Sequence, residues 1–232
     1  MIGIVLRIAI PLIVIPVVLL QVRRPSRWIG RLFLWQMNGT HSGLTDWGLT
    51  HAPIEKSFII LDVGCGGGRT IEKLATRADE GRVFGVDYSA ESVDTSRAHN
   101  ARLIQAGRVE VRRASVSQLP YPDATFDLVT AVETHYYWPD LPGDLREVKR
   151  TLKPGAELVV IAESYKQGAL APIIGLVMML IRAKYLTAEE HRALLVNVGF
   201  SDVQVHEDRG RGWICVTGRR PASEPATIPP RS

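Results

Sequence analysis

Three groups of residues carry types and spacings suited to chemistry. The first is Asp62-x-Gly64-x-Gly66-x-Gly68, an acidic side chain followed by glycine at every second position. Glycine takes positive φ at little steric cost, so this run can turn sharply and bring backbone N–H groups close to a ligand. The second is Asp87, about twenty residues beyond the loop, where a carboxylate at a strand end accepts the hydroxyls of a ribose. Tyr88 follows it and offers a ring to the face of a base. The third is the stretch Glu133-Thr134-His135-Tyr136-Tyr137-Trp138. His135 is suited to general-base work, because an imidazole changes charge near neutral pH. The aromatic rings beside it attract a cation through their faces.

The elements that must position these groups are legible in the hydrophobic pattern. Phe58 to Leu61 reads as a buried strand, and Ile71, Leu74, Ala75 and Ala78 recur at helical spacing after the glycines. Strand, glycine loop and helix together form the place where open α/β folds bind nucleotide-like ligands. Arg82 to Asp87 is a second strand. Ser89 caps a helix that presents Val93, Ala101 and Ile104 inward and stops at Gly107. Val109 to Arg113 and the buried run Phe126 to Val132 add two more strands, the second with Asp127 at its mouth. Leu141, Leu145, Val148 and Leu152 predict a helix ended by Lys153-Pro154-Gly155, before a strand over Glu157 to Glu163. Thr187 and Glu190 form a capping box for a helix ending at Gly199, and Val203 to His206 and Trp213 to Thr217 complete the sheet.

The loop chemistry narrows the ligand. A dinucleotide loop needs a third glycine where this chain has Arg69, and a phosphate-cradling P-loop needs a lysine that is absent. The Asp62 glycine loop, Asp87, the 133–140 stretch and Leu145-Arg146-Glu147-Val148-Lys149-Arg150-Thr151-Leu152-Lys153-Pro154-Gly155 stand at mutually consistent offsets. Over about Phe58 to Glu163 the sequence resembles the class I S-adenosylmethionine-dependent methyltransferases, in the branch that includes ubiquinone and menaquinone C-methyltransferases. The resemblance implies an α/β, doubly wound, Rossmann-like fold with a seven-stranded, mostly parallel sheet, helices on both faces and a closing antiparallel hairpin. It implies S-adenosyl-L-methionine as cofactor, with Asp62, Gly64, Gly66 and Gly68 around the methionine moiety and Asp87 on the ribose. Tyr88, Ser115 and Val116 lie near adenine, and Glu133 contributes from the family's fourth motif. The commonest family pattern has an aspartate at position 115. A serine hydroxyl there can still bond a base edge, without charge.

Around this core the composition sets further expectations. The net charge of +4 comes with dispersed arginines, which argues against specific nucleic-acid binding. Cys65 and Cys215 are the only cysteines, too few for a disulfide framework or a zinc site. The histidines of the aromatic stretch Trp35, His41, Trp47 and His51 lack metal-ligand spacing, and no metal is expected. That stretch suits a lid over the cofactor, or ordinary packing on the sheet.

Residues 2 to 20 are almost wholly apolar, and as a helix they would reach about 28 Å, close to the hydrocarbon thickness of a bilayer. Arg23, Arg24, Arg27 and Arg31 follow, so the positive-inside rule places the downstream domain in the cytoplasm. The expected organisation is a membrane anchor over 1–22, a basic linker and cap over 23–57, the methyltransferase domain over 58–219 and a proline-rich tail over 220–232. An N-terminal helix that packs on the domain, with a cytoplasmic protein, is the alternative. The apolar run 168–182 is too short to span a bilayer and suits a hydrophobic acceptor pocket, a membrane surface or a plain lid. Together these features point to methyl transfer to a small-molecule acceptor, lipid- or quinone-like, at the membrane. A non-catalytic adenosylmethionine-binding module and an NAD-dependent oxidoreductase are the competing classes. The sequence leaves the oligomeric state open.

Overall fold

The computed structural model describes residues 42–163, 165–168 and 171–222. The apolar segment 2–20, the arginines after it, Trp35, His41 and the tail from 223 onward lie outside the described residues. Among the described residues no helix is long and apolar enough to cross a membrane.

Seven strands form one sheet: β1 (Ile59–Val63), β2 (Arg82–Asp87), β3 (Val109–Arg113), β4 (Phe126–Val132), β5 (Leu152–Ala162), β6 (Ser201–Asp208) and β7 (Trp213–Arg219). Their order is β3-β2-β1-β4-β5-β7-β6, with β7 antiparallel to both of its neighbours and the other pairs parallel. Central β1 is buried on both faces because alternate side chains point to opposite sides. Ile60 joins the core formed with α1 (Ser42–Gly48), α2 (Arg69–Arg77) and α3 (Ala90–His99), through Leu44, Leu74 and Val93. Leu61 joins the core of the other face. There α5 (Leu141–Thr151) and α7 (Ala188–Val198) lay down Leu145, Val148, Leu195 and Val198. Among the described residues the remaining helices are α4 (Ala101–Gln105) and α6 (Ala171–Leu180), with short 3-10 turns at Leu49–His51 and His135–Tyr137.

Beyond β1 the chain proceeds to β2 on one side, and later to β4 on the other. The loops leaving the carboxyl ends of β1 and β4 therefore diverge and open a crevice at the topological switch point.

Three elements differ from their sequence expectation. The helix expected from Ala90 to Gly107 is broken at Asn100, whose side-chain amide donates to Gly68 O at 2.9 Å and to Ser96 O at 3.0 Å. A buried asparagine that bonds backbone competes with helix continuation. Strand β5 begins at Leu152 rather than Glu157: Phe126 pairs with Leu152, Leu128 pairs with Glu157, and the intervening residues bulge out around Gly155 at φ 80°. The closing hairpin is longer than expected at both ends. Trp47 and His51 pack on it, with rings 5.8 Å from Trp213 and stacked 4.0 Å from His206.

Candidate active site

The glycine loop is tied down from three directions. Gly64 N and Cys65 N both donate to Val86 O, at 2.8 and 3.0 Å, which fastens the start of the loop to β2. Gly64 has φ 74°, and a Cβ there would run into the Thr134 side chain from the β4 loop. Gly68 has φ 84° and caps α2, and a Cβ there would strike Ser96 and Asn100. These are the positions where only glycine combines the left-handed conformation with the close approach. Gly66, also at positive φ, turns its N–H to Asp87 Oδ2 at 3.0 Å.

Asp87 sits at the end of β2, 8% exposed, and its Oδ1 accepts from Ser89 N at 2.9 Å. Burial holds its carboxyl above the ordinary range, and the two backbone N–H bonds offset part of that rise. Asp62, at the end of β1, is buried and accepts from Thr130 Oγ1 at 2.7 Å. Burial raises its carboxyl to about 7, against the lowering effect of the Thr130 bond, and the charge of Asp87 adds to the rise. The loop, Asp62 and Asp87 thus meet at one point of the crevice. Tyr88 lies exposed beside Asp87. On the same side, after β3, Ser115 is exposed and its Oγ accepts from Ser117 N at 3.2 Å, while Val116 is buried against the core.

The β4 loop forms the other wall. Glu133 takes φ 56°, rare for a residue with a side chain, and its Oε1 accepts from Glu163 N at 2.6 Å. His135 is 2% exposed, and its Nε2 lies 2.9 Å from Nε2 of His191 on α7. The hydrogen-bond network assigns the protons. His191 Nδ1 is 2.8 Å from Thr187 O, which can only accept, so this nitrogen carries the hydrogen. Burial holds both rings below the usual imidazole range, so they are neutral at pH 7. His191 Nε2 is then an acceptor and His135 Nε2 its donor. His135 Nδ1 is left with a lone pair, buried and without a hydrogen-bond partner.

The structure brings Asp62, Gly64, Gly66, Gly68, Asp87 and the Glu133–His135 loop to one crevice, with Tyr88, Ser115 and Val116 along its β2–β3 side. Sequence reasoning missed Thr130, Asn100 and His191, and named Thr134 only as part of its stretch without a role. His191 was findable, because it lies one helical turn before Leu195 on the inward face of α7. The others are small polar residues without periodic signal. Asp144 was also missed: it is buried, accepts from Ser117 Oγ at 2.7 Å and from Asp140 N at 3.0 Å, and fixes the 115–119 loop to α5.

Residues 61–160 match the family model described as a methyltransferase domain. An O-methyltransferase of Penicillium expansum, cnsE, is 30% identical over 152 residues, covering 65% of this chain and 54% of that protein. A demethylmenaquinone methyltransferase of Lactiplantibacillus plantarum is 34% identical over 127 residues, 54% of each chain. The chain thus spans about half the length of these relatives. The crystal structure of a SAM-dependent methyltransferase from Aquifex aeolicus superposes with a TM-score of 0.65 at 21% identity, over 82% of this chain and 97% of that one. The residues present fit an adenosyl cofactor in their chemistry, since Asp87 beside the glycine loop is a carboxylate with lone pairs beyond those that accept from Gly66 N and Ser89 N, and so could accept from sugar hydroxyls. Sequence and fold agree: residues 61–160 match a methyltransferase domain, and the seven-stranded sheet built around them has the fold of the S-adenosylmethionine-dependent methyltransferase on which it superposes.

Proposed function

We propose that this chain transfers a methyl group to an apolar small-molecule acceptor, lipid- or quinone-like, at the cytoplasmic face of a membrane. The observation that carries the reading is the convergence of the glycine loop, Asp87 and the β4 loop at the switch point, with Thr134 seated on Gly64. The apolar character of the acceptor is supported by the aromatic loop and by helix α6, whose Met178 belongs to the same core as Tyr136 and after which Lys184 N donates to Tyr136 O at 2.8 Å. The membrane location is supported by the apolar sequence 2–20 and the arginines that follow it.

Bound in the crevice, S-adenosylmethionine supplies a methyl group on a positively charged sulfur. The protein's task is then to bind and align. Asp87 would accept from the ribose hydroxyls, Asp62 and Gly64 to Gly68 would hold the methionine end, and Glu133 would contribute from the β4 loop. Tyr88 would offer its ring to the adenine, and Ser115 with the backbone of Val116 would bond its edge. Alignment of nucleophile and methyl can remove roughly 7 to 11 kcal/mol of barrier without any covalent help. His135 Nδ1 is the atom that takes a proton from an acceptor hydroxyl or activated carbon, and His191 holds its ring in the required tautomer. That atom is covered, so the acceptor reaches it only as the surrounding loop opens.

The test is incubation of purified protein with methyl-labelled cofactor and cell extract separated into lipid and aqueous fractions. Label in the lipid fraction is expected. Cofactor binding with no labelled product in either fraction would leave an adenosylmethionine-binding module. Replacement His135→Asn should lower turnover by about 10²- to 10⁴-fold at unchanged cofactor affinity. Full turnover in that variant would make the histidine pair purely structural.

A further inference from the structure

Helix α6 has ten residues, APIIGLVMML, and none is polar. Only Met178 is buried. Ile173, Met179 and Leu180 are 64%, 64% and 65% exposed, and Ile174, Leu176 and Val177 are exposed beside them. A helix apolar on every side is normally enclosed by protein or by lipid. Contiguous exposed apolar surface of this kind marks a contact site. At about 1.5 Å per residue the helix is about 15 Å long, half of a hydrocarbon core, so it can lie in a bilayer surface but not cross it.

The charges around it indicate which partner. Between Tyr165 and Ala188 the sequence contains Lys166, Arg182 and Lys184 and no acidic residue. Arg182 and Lys184 are exposed immediately after the helix. Cations that flank a fully apolar helix complement anionic headgroups around a buried acyl contact, and they do not complement a second apolar protein face. The segment that follows the helix is tied to the loop of the candidate site. Ala183 N donates to Met178 O, and Lys184 N to Tyr136 O in the loop that carries His135, both at 2.8 Å.

We infer that α6 inserts into the surface of an anionic lipid bilayer, and that it does so as a second membrane contact, separate from residues 2–20. As an acceptor route this rests on the reading above, because seating α6 in the headgroup layer turns the β4 loop toward the source of an apolar acceptor. The docking itself requires no methyl transfer.

The experiment uses the full chain with a fluorophore sensitive to polarity on a cysteine introduced by Leu180→Cys. Native Cys65 and Cys215 are buried, which directs the label to the new site. A second protein carries the label at Asp79→Cys, an exposed position in the turn between α2 and β2. Vesicles contain equal parts phosphatidylcholine and phosphatidylglycerol, with or without a lipid spin-labelled near the headgroup. The expected result is a blue shift and quenching at position 180 and neither at position 79. In an Arg182→Gln, Lys184→Gln variant the docked fraction relative to the undocked one should fall about fivefold for each cation removed, the factor that about 1 kcal/mol per basic side chain gives.

Emission at position 180 that stays solvent-like with vesicles overturns the inference. So does a blue shift without vesicles: if it persists on dilution, a segment of the same chain covers α6, and if it fades on dilution, a second copy does. Calorimetry of each labelled protein with S-adenosylmethionine separates the two readings. Cofactor binding without quenching removes the docking inference alone, and quenching without cofactor binding removes the methyltransferase reading alone.

Discussion

Gly66 N–H points at Asp87 Oδ2, 3.0 Å away, across 21 residues of sequence. The carboxylate proposed for the ribose is therefore also the acceptor that shapes the glycine loop, and in that reading sugar binding and loop shape are linked through one side chain. Replacement Asp87→Ala should remove both functions and weaken cofactor affinity by about 1.5 to 3 kcal/mol, the range for hydrogen bonds to a charged group. Asp87→Asn keeps an oxygen for Gly66 N–H and should restore loop order but only part of the affinity. Calorimetric titration with S-adenosylmethionine and its demethylated product measures both. Wild-type affinity in the alanine variant would dissociate Asp87 from the site.

Asp62 predicts a pH dependence of cofactor binding. Its carboxyl is raised to about 7 by burial, and the ammonium group of a methionine moiety favours the ionised form. Affinity should climb as pH rises toward about 7 and level off above it, with a proton released on binding below that point. Asp62→Asn should flatten the profile. The same shift acts in the opposite sense on the unliganded fold. A carboxyl whose folded pKa lies above its unfolded value near 3.8 stabilises the fold below that value, and the contribution is lost as pH climbs to about 7.

The buried histidines give the reverse sign. His135 and His191 are held below the imidazole value of 6.5, chiefly by burial. The unfolded chain therefore binds their protons first as pH drops below 6.5. Stability present above 6.5 should be lost in acid, by up to tenfold in the folding constant per pH unit for each proton. Urea denaturation at several pH values between 5 and 7.5 measures the slope, to which the two histidines contribute on the order of one to two protons, against up to about one of opposite sign from Asp62. Replacement of both histidines by glutamine should reduce it, and an unchanged slope would mean that the pair is not buried in solution.

Glycine substitutions should separate backbone strain from collision. At Gly107, φ is 71° and nothing lies within 4 Å of the place an added methyl group would occupy, so Gly107→Ala should cost only about 1 to 2 kcal/mol of left-handed strain. At Gly68 the added Cβ would meet Asn100 Nδ2 at 2.5 Å and the Ser96 backbone at 2.9 Å, so Gly68→Ala should cost clearly more and also lower cofactor affinity. Thermal melts of the two variants, followed by cofactor titration, test the difference. Equal melting losses would show that α3 yields to the methyl group.

The amino-acid sequence by itself determined the elements and the chemistry that sits at their ends. Helical and strand periods are local properties, and a glycine loop between an apolar strand and an amphipathic helix reads directly, as does an aspartate closing the next strand. The N-cap Ser89 and the capping box of Thr187 with Glu190 were legible for the same reason, since each involves neighbours three residues apart. What the tertiary structure alone decided are the partnerships between distant segments. Thr130 meets Asp62 across 68 residues, His135 meets His191 across 56, and Asn100 breaks its helix to hold Gly68 across 32. None of these has a period, because a single polar side chain finds its partner only after the sheet order has placed two strand ends or a loop and a helix side by side. Burial then does the rest: by withdrawing water from Asp62 and from the two imidazoles, the fold sets which of them hold protons at neutral pH, a property that no local stretch of the chain encodes.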